Sequence, residues 1–253
     1  YARLDSAGVI GVGTLTWSGG WGVDKIFGSN TQKVPSVDIS CEDYGLLYRL
    51  ATNKQGPRVR LTAESQATPA EVPMFDVVAE LKGTELPNEY VLLSAHLDSW
   101  HGATGATDNA GGVAAASEAM RILKTLNVHP RRTIRLVIWS GEEVGFLGAK
   151  AYADQHLKDQ ASRDAISVYL NDDPGTGAIA GWFMANNADA RGVFDSWTEQ
   201  LKDLGLRKNT MDAYFSSEDG VIDALGMPAI TTIQDYTNYD VRLHHTNTDF
   251  FEA

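Results

Sequence analysis

The sequence predicts an α/β fold: a mixed, mainly parallel sheet with helices on both faces, preceded by a small, partial α+β module. Three observations carry this. From residue 74 onward, short apolar runs alternate with stretches of helical periodicity. The run 90–95 is apolar without alternation, as expected of a strand buried on both faces. His and carboxylate residues stand just past the ends of successive apolar runs, where open α/β sheets bind ligands.

Taken in order, residues 8–17 mix small and β-branched residues and read as a strand, and 18–22 form a Gly-rich turn. A short strand is expected at 37–40 and a helix at 42–50, with Ser40 as its N-cap and Asp43 in its first turn. Residues 58–63 alternate and predict a strand with one wet face, and the Pro-bounded stretch 68–73 reads as a boundary. The expected division is therefore 1–72, without its own cluster of ligand-type residues, and 73–253. In the second part strands are predicted at 75–81, 90–95, 133–139, 165–170 and 228–233. Helices are predicted at about 110–126, 147–159, 190–204 and 217–225, with Val113, Ala116, Met120 and Leu123 on one face of the first and Val193, Trp197 and Leu201 on one face of the third.

Composition narrows the function. Asp+Glu 33 against Lys+Arg 21 leaves a net charge of −12, which argues against a nucleic-acid partner. The single cysteine, Cys41, rules out an intrachain disulfide and a cysteine-based zinc site. No apolar run approaches the roughly 18 residues of a membrane span. The chain starts at Tyr1 without a signal peptide and stops at Ala253, and both ends read as mid-domain sequence, so a fragment or processed chain is expected.

His96 and Asp98 follow the first long strand, Asp108 lies in the Gly-rich loop after it, Glu142 and Glu143 follow the next strand, Asp172 and Asp173 the one after, and His244 and His245 a later loop. Each has a plainer reading alone. Asp108 before Gly-Gly is a good N-cap, Asp172-Asp173-Pro-Gly a good turn, and a Glu pair is usually solvated surface. His101, His129 and His156 read as surface residues. Co-occurrence at successive strand ends is the argument for one site. Parallel strands bring those ends to one rim, and crowded carboxylates need a cation. A mixed imidazole and carboxylate set suits zinc, and paired metals roughly 3.5–4 Å apart form a hydrolytic centre.

The ordered motifs His96-Leu-Asp98, Ala106-Thr-Asp-Asn-Ala-Gly-Gly112, Trp139-Ser-Gly-Glu-Glu143, Tyr169-Leu-Asn-Asp-Asp173 and His244-His-Thr246 resemble the signatures of the co-catalytic dizinc exopeptidases, the zinc aminopeptidases and glutamate carboxypeptidases. Through His96-Leu-Asp-Ser-Trp100 and the double His, the likeness is to the plasma glutamate carboxypeptidase branch. It runs from about residue 72 to the end, and 1–72 more weakly resembles the protease-associated insert of such enzymes. The resemblance implies the hydrolase-like zinc exopeptidase fold and two Zn²⁺ ions. His96 and Asp173 would hold one ion, Glu143 and His245 the other, and Asp108 would bridge both. Asp173 is preferred to Asp172 on its spacing from the strand. Glu142 would be the general base on the metal-bridged water, Asp98 would orient a ligand, and His244 would steady the oxyanion. Family members continue past the last His with a closing helix, so truncation, a loose edge near His245 and weakly held metal are expected.

The expected function is hydrolysis of dipeptides or short peptides by a zinc exopeptidase, with a peptide substrate, no nucleic acid, no membrane, a possible homodimer, and a secreted or periplasmic location. Aminopeptidase, carboxypeptidase and dipeptidase specificity stay open. Trp100, Trp182, Tyr214 and Tyr236 are pocket candidates, against the plainer reading that they are core. Two other readings suit the fold. A glutaminyl cyclase resembles a one-zinc version of this site, which His96, Asp98 and Asp173 together argue against. A metal-free, receptor-like relative is opposed by the intact Glu142 and full ligand set.

Overall fold

A computed structural model describes residues 2–15, 18–27, 31, 33–62, 64, 66 and 71–252. In chain order the elements are α1 (Ala2–Asp5), β1 (Val12–Thr14), β2 (Ser36–Asp38), α2 (Cys41–Thr52), β3 (Val77–Leu81), β4 (Leu86–His96), α3 (Ala110–Thr125), β5 (Arg132–Trp139), α4 (Leu147–His156), α5 (Gln160–Asp164), β6 (Ile166–Asn171), β7 (Thr176–Phe183), α6 (Arg191–Gln200), β8 (Lys208–Thr210), α7 (Asp219–Asp223) and β9 (Ala229–Asp235). Seven strands form one sheet in the order β3-β5-β4-β6-β9-β7-β8. The central β5, β4, β6 and β9 run parallel, whereas β3 and β7 are antiparallel to their neighbours β5 and β9. This is the mixed, mainly parallel sheet the sequence predicts.

Alternation along the buried strands sorts side chains to two faces. Leu92, Val137, Trp139 and Tyr169 pack against α4 and α7 through Ala149, Tyr152 and Ile222. Leu93, Ala95, Leu136 and Ile138 face α3 through Val113, Ala116 and Met120. Val168, Leu170 and Ile230 meet Phe194 of α6. The stripe expected on α6 is different: Val193, Trp197 and Leu201 are exposed, and Phe194 is the buried residue.

Two strands escape the sequence pattern. β7 reads Thr-Gly-Ala-Ile-Ala-Gly-Trp-Phe, too small and too Gly-rich to register as an apolar run, and β8 is three polar-leaning residues. They lie so close that a Cβ at Gly181 would sit 1.4 Å from the Lys208 carbonyl oxygen. The absence of a side chain, which hides β7 from a pattern reading, is what lets β8 pair with it.

Before residue 72 the described residues hold a two-stranded parallel sheet, β1 with β2, and the helix α2. Ser40 caps α2, its hydroxyl accepting from the Asp43 amide at 3.3 Å. The strand expected at 58–63 is not formed over the described 58–62, which are exposed and irregular. No described helix is long and apolar enough to cross a membrane. Residues 19–26 reach across the expected boundary and hydrogen-bond to 241–247.

Beneath the carboxyl ends of the strands lies a buried polar layer. Trp139 Nε1 donates to the Tyr169 hydroxyl at 3.1 Å, and both residues have no exposed surface. Tyr169→Phe leaves that indole N–H without a partner, a cost of about 1–3 kcal/mol. Urea denaturation is expected to show that loss with an unchanged slope, since the apolar packing is kept.

Candidate metal centre

Four parallel strands deliver the site to one rim. His96 is the last residue of β4; Glu142 and Glu143 follow β5; Asp173 follows β6; and His244 and His245 follow β9 by way of a π-helical turn at Tyr239–Leu243. The loop between β4 and α3 brings Asp108 across. His96 Nε2 lies 3.3 Å from Asp108 Oδ1 and 3.2 Å from Asp173 Oδ1. His245 Nε2 lies 2.9 Å from Glu143 Oε2 and 3.5 Å from Asp108 Oδ2. Asp108 thus presents one carboxylate oxygen to each imidazole.

The ring tautomers follow from the other nitrogens. His96 Nδ1 is 2.9 Å from the Asp98 carbonyl, and His245 Nδ1 is 3.1 Å from the Ile26 carbonyl. A carbonyl only accepts, so both Nδ1 atoms carry hydrogen and donate. In the neutral rings each Nε2 is then a lone pair facing carboxylate oxygens. Acceptors at that spacing repel unless a proton or a cation lies between them. Asp108 Oδ2 and Glu143 Oε1 are buried without a hydrogen-bond partner among the described residues. Orphaned carboxylate oxygens beside imidazole lone pairs are a donor set that fits divalent zinc. Candidate ligand atoms of His96, Asp108 and Glu143, of His96, Glu142 and Asp173, and of Asp108, His244 and His245 each lie within 4.8 Å of one another.

Burial and like charge show in the titration of the cluster without cations. Burial pushes Glu142 up to about 10, and Asp173, Glu218 and Glu143 add to it. Burial also raises Glu143, partly offset by the bond from His245. Burial would lower His96, but Asp173 and Asp108 overcome it and raise its pKa well above the usual value. Asp108 goes the other way: burial opposes ionisation, yet His96 holds its pKa down. His244 is lowered by burial and by His245.

Asp98 accepts from the amides of Glu142 and Glu143 at 3.0 and 3.2 Å, so one carboxylate ties the turn after β5 to the end of β4. Asp172 points elsewhere, accepting from the Thr232 hydroxyl at 2.8 Å. The helix cap anticipated at Asp108 belongs to its neighbour: Asn109 Oδ1 accepts from the Gly112 amide at 3.0 Å, leaving Asp108 free to face the imidazoles. His244 is stacked on Tyr239 with ring centroids 4.9 Å apart and bonded to Asp240 at 3.2 Å. His101, His129 and His156 are exposed and belong to none of these groups.

The cluster opens into a cleft of about 410 Å³ that Glu142, Tyr214, Tyr236, His244 and Phe27 also line. Tyr214 and Tyr236 are therefore cleft residues. Trp100 lies beside His245, with centroids 5.6 Å apart, whereas Trp182 packs on Phe194 and Met184 and faces no part of the cleft.

Two supporting acids have no signal in the sequence. Asp249, 3 % exposed, accepts from the amides of Thr107 and Asp108 at 2.8 and 2.9 Å and so fixes the loop that carries Asp108. Glu218, with no exposed surface, accepts from Ser217, which is bonded in turn to Asn171 and through it to Ser94. Asp249→Ala frees two amides and is expected to weaken zinc binding about 10–100-fold, the usual range for a residue that orients a ligand. Chelator competition reads this out.

A model of peptidase family M28 matches residues 76–253. The chain is 32% identical over 221 residues to carboxypeptidase Q of Rattus norvegicus, covering 87% of this chain and 46% of the relative, and 30% identical over 217 residues to that of Homo sapiens, covering 86% and 45%. The chain thus spans about half the length of these relatives. Among solved structures, a peptidase M28 precursor from Shewanella amazonensis SB2B superposes with a TM-score of 0.81 at 26% identity, over 97% of this chain and 55% of that one. An aminopeptidase from Aneurinibacillus sp. strain AM-1 shares the fold at a TM-score of 0.61 and 22% identity, over 97% and 58%.

Proposed function

The chain belongs to peptidase family M28, and on that premise we propose that it is a zinc-dependent exopeptidase hydrolysing dipeptides or short peptides, with Glu142 as general base. The observation that carries this reading is Asp108 presenting one oxygen to each of two imidazole and carboxylate groups, at 3.3 and 3.5 Å. His96, Asp173 and Asp108 would hold one ion, and Glu143, His245 and Asp108 the other. Zinc held by these residues would lower the pKa of a water and polarise the scissile carbonyl.

The chain's own groups supply the rest. Glu142 is buried and lines the cleft beside both sets of ligands, and its carboxylate, unlike its amide, makes no hydrogen bond among the described residues, so it is available for the proton of water. It then returns that proton to the leaving amine. Asp98 holds Glu142 and Glu143 in one turn through adjacent amides, which lets neighbouring residues serve different partners. Tyr214 lines the cleft, and burial raises its pKa well above the usual value, so it keeps a proton to donate to developing negative charge. His244 donates from Nδ1 to the Asp240 carboxylate at 3.2 Å, and burial lowers its pKa, so its Nε2 carries a proton for the developing negative charge only when the ring is an imidazolium.

The substrate class rests on the matched carboxypeptidase Q and aminopeptidase relatives. A secreted or periplasmic location and a homodimer belong to the same proposal. The test is a panel of dipeptides and of longer peptides blocked at one or the other end, assayed with added zinc. Release of terminal residues, abolished by chelation and restored by zinc, is expected. Cleavage only within blocked peptides, or cyclisation of N-terminal glutamine in place of hydrolysis, would overturn the reading.

A further inference from the structure

Residues 24–27 lie far from the strand ends in sequence and outside the 76–253 matched by the family model, yet they touch the centre. Lys25 pairs antiparallel with Thr246. The Ile26 amide donates to the His245 carbonyl at 2.8 Å, and the Asn247 amide donates to the Asp24 carbonyl at 3.1 Å. Asp24 and Gly22 also engage the Asn247 side chain, at 2.9 and 3.0 Å. Two independent features mark this contact as more than packing. His245 has φ +58°, a left-handed conformation that non-glycine residues avoid unless their surroundings impose it. Lys25 is 2 % exposed, its ammonium 2.9 Å from Asp240 Oδ1 and also donating to the Asp240 carbonyl.

We propose that residues 24–27 form a positioning strap for the metal centre: the Ile26 carbonyl fixes His245 as the Nδ1–H tautomer with Nε2 turned to Glu143 and Asp108, and the Lys25–Asp240 pair holds the strap in place. The inference rests on the dizinc reading above. The two imidazoles are held differently. His96 finds its carbonyl two residues away on its own strand end. His245 sits in a long loop after β9 and finds its carbonyl 219 residues away in the chain. Phe27 completes the grip, its ring 4.7 Å from that of His245 and tilted to it, with Trp100 also tilted against that ring at 5.6 Å. The loose edge expected near His245 is thus clamped from the other end of the sequence.

The test measures zinc by chelator competition in wild type and Lys25→Met, with thermal melts of both zinc-free proteins. The strap predicts that one ion weakens about 10–100-fold while the other is held as before. A strap that only contributes to overall stability would lower the zinc-free melting temperature and leave both affinities equal to wild type, which overturns the proposal. Wild type alone supplies a second measurement, independent of whether the variant folds. With ¹¹³Cd in place of zinc and ¹⁵N-labelled histidine, metal coupling is expected at Nε2 of His245 and a slowly exchanging proton at Nδ1. Coupling at Nδ1 contradicts the proposal. Wild type that binds no metal would end the dizinc reading and the strap with it, whereas two normally held ions in Lys25→Met would end the strap alone.

Discussion

Replacing Glu142 by glutamine is expected to cut peptide turnover about 10²–10⁴-fold, the range that a positioned general base contributes, with both zinc ions still bound. The substitution keeps size and one carbonyl oxygen but removes the group that takes a proton. Glu142 is 7 % exposed and burial pushes it up to about 10 when no cation is near. A base must be ionised near neutral pH, so the bound cations have to bring that value down, and the two properties are linked. Glu142 also lies within reach of His96 and Asp173. Zinc content therefore separates base from ligand: if Glu142→Gln loses an ion along with turnover, Glu142 is a ligand, and if turnover survives, the base lies elsewhere.

Stripping zinc with a chelator is expected to abolish turnover and to make stability fall as pH rises. Burial raises Glu142 to about 10 and Glu218 to about 7, against an ordinary value of 4.5. Between pH 4.5 and those values the folded chain keeps protons that the unfolded chain has released. The native state then binds more protons, so stability declines with increasing pH across that window. His96, raised by Asp173 and Asp108 against the pull of burial, works in the same sense. Asp108 is lowered and contributes its stabilisation above the ordinary carboxylate range, which adds no slope there. Zinc requires its ligands deprotonated, so the loaded protein gains most at the higher pH where the stripped one is weakest. At a hundredfold excess over Kd a bound ion adds about 2.7 kcal/mol. Melts of chelated and loaded protein from pH 5 to 9 are expected to diverge. A chelated protein whose melting temperature is flat or rises over that range would refute the electrostatic account.

Much of this centre is legible in the sequence because of how parallel strands work. A buried strand announces itself as an uninterrupted apolar run, and consecutive parallel strands must place their carboxyl ends on one rim. His96, Asp108, Glu142, Glu143, Asp173 and His245 could therefore be expected together, and the structure places them together. Asp172 and Asp173 show the limit. Composition makes both a turn, and only the strand's pleat decides that one faces the imidazoles and the other Thr232. The same holds one residue along from Asp108, where the cap is Asn109.

What stayed hidden has physical reasons as well. β7 carries little side-chain bulk because β8 lies against it, so the hydrophobic signal that marks other strands is absent. Trp182 and Tyr214 look alike as aromatics, yet one fills the core behind α6 and the other lines the cleft. Asp249 and Ile26 act through hydrogen bonds that span about 140 and 220 positions, each with a backbone group at one end. A contact of that kind leaves no periodicity or spacing in the chain, and for Ile26 the acting atom is a carbonyl that every residue has.

Anomalous scattering at the zinc edge, from crystals grown with zinc, tests the central claim most directly. Two peaks about 3.5–4 Å apart are expected, with Asp108 between them, His96 and Asp173 on one, Glu143 and His245 on the other. A single peak, or two peaks not joined by Asp108, would contradict it.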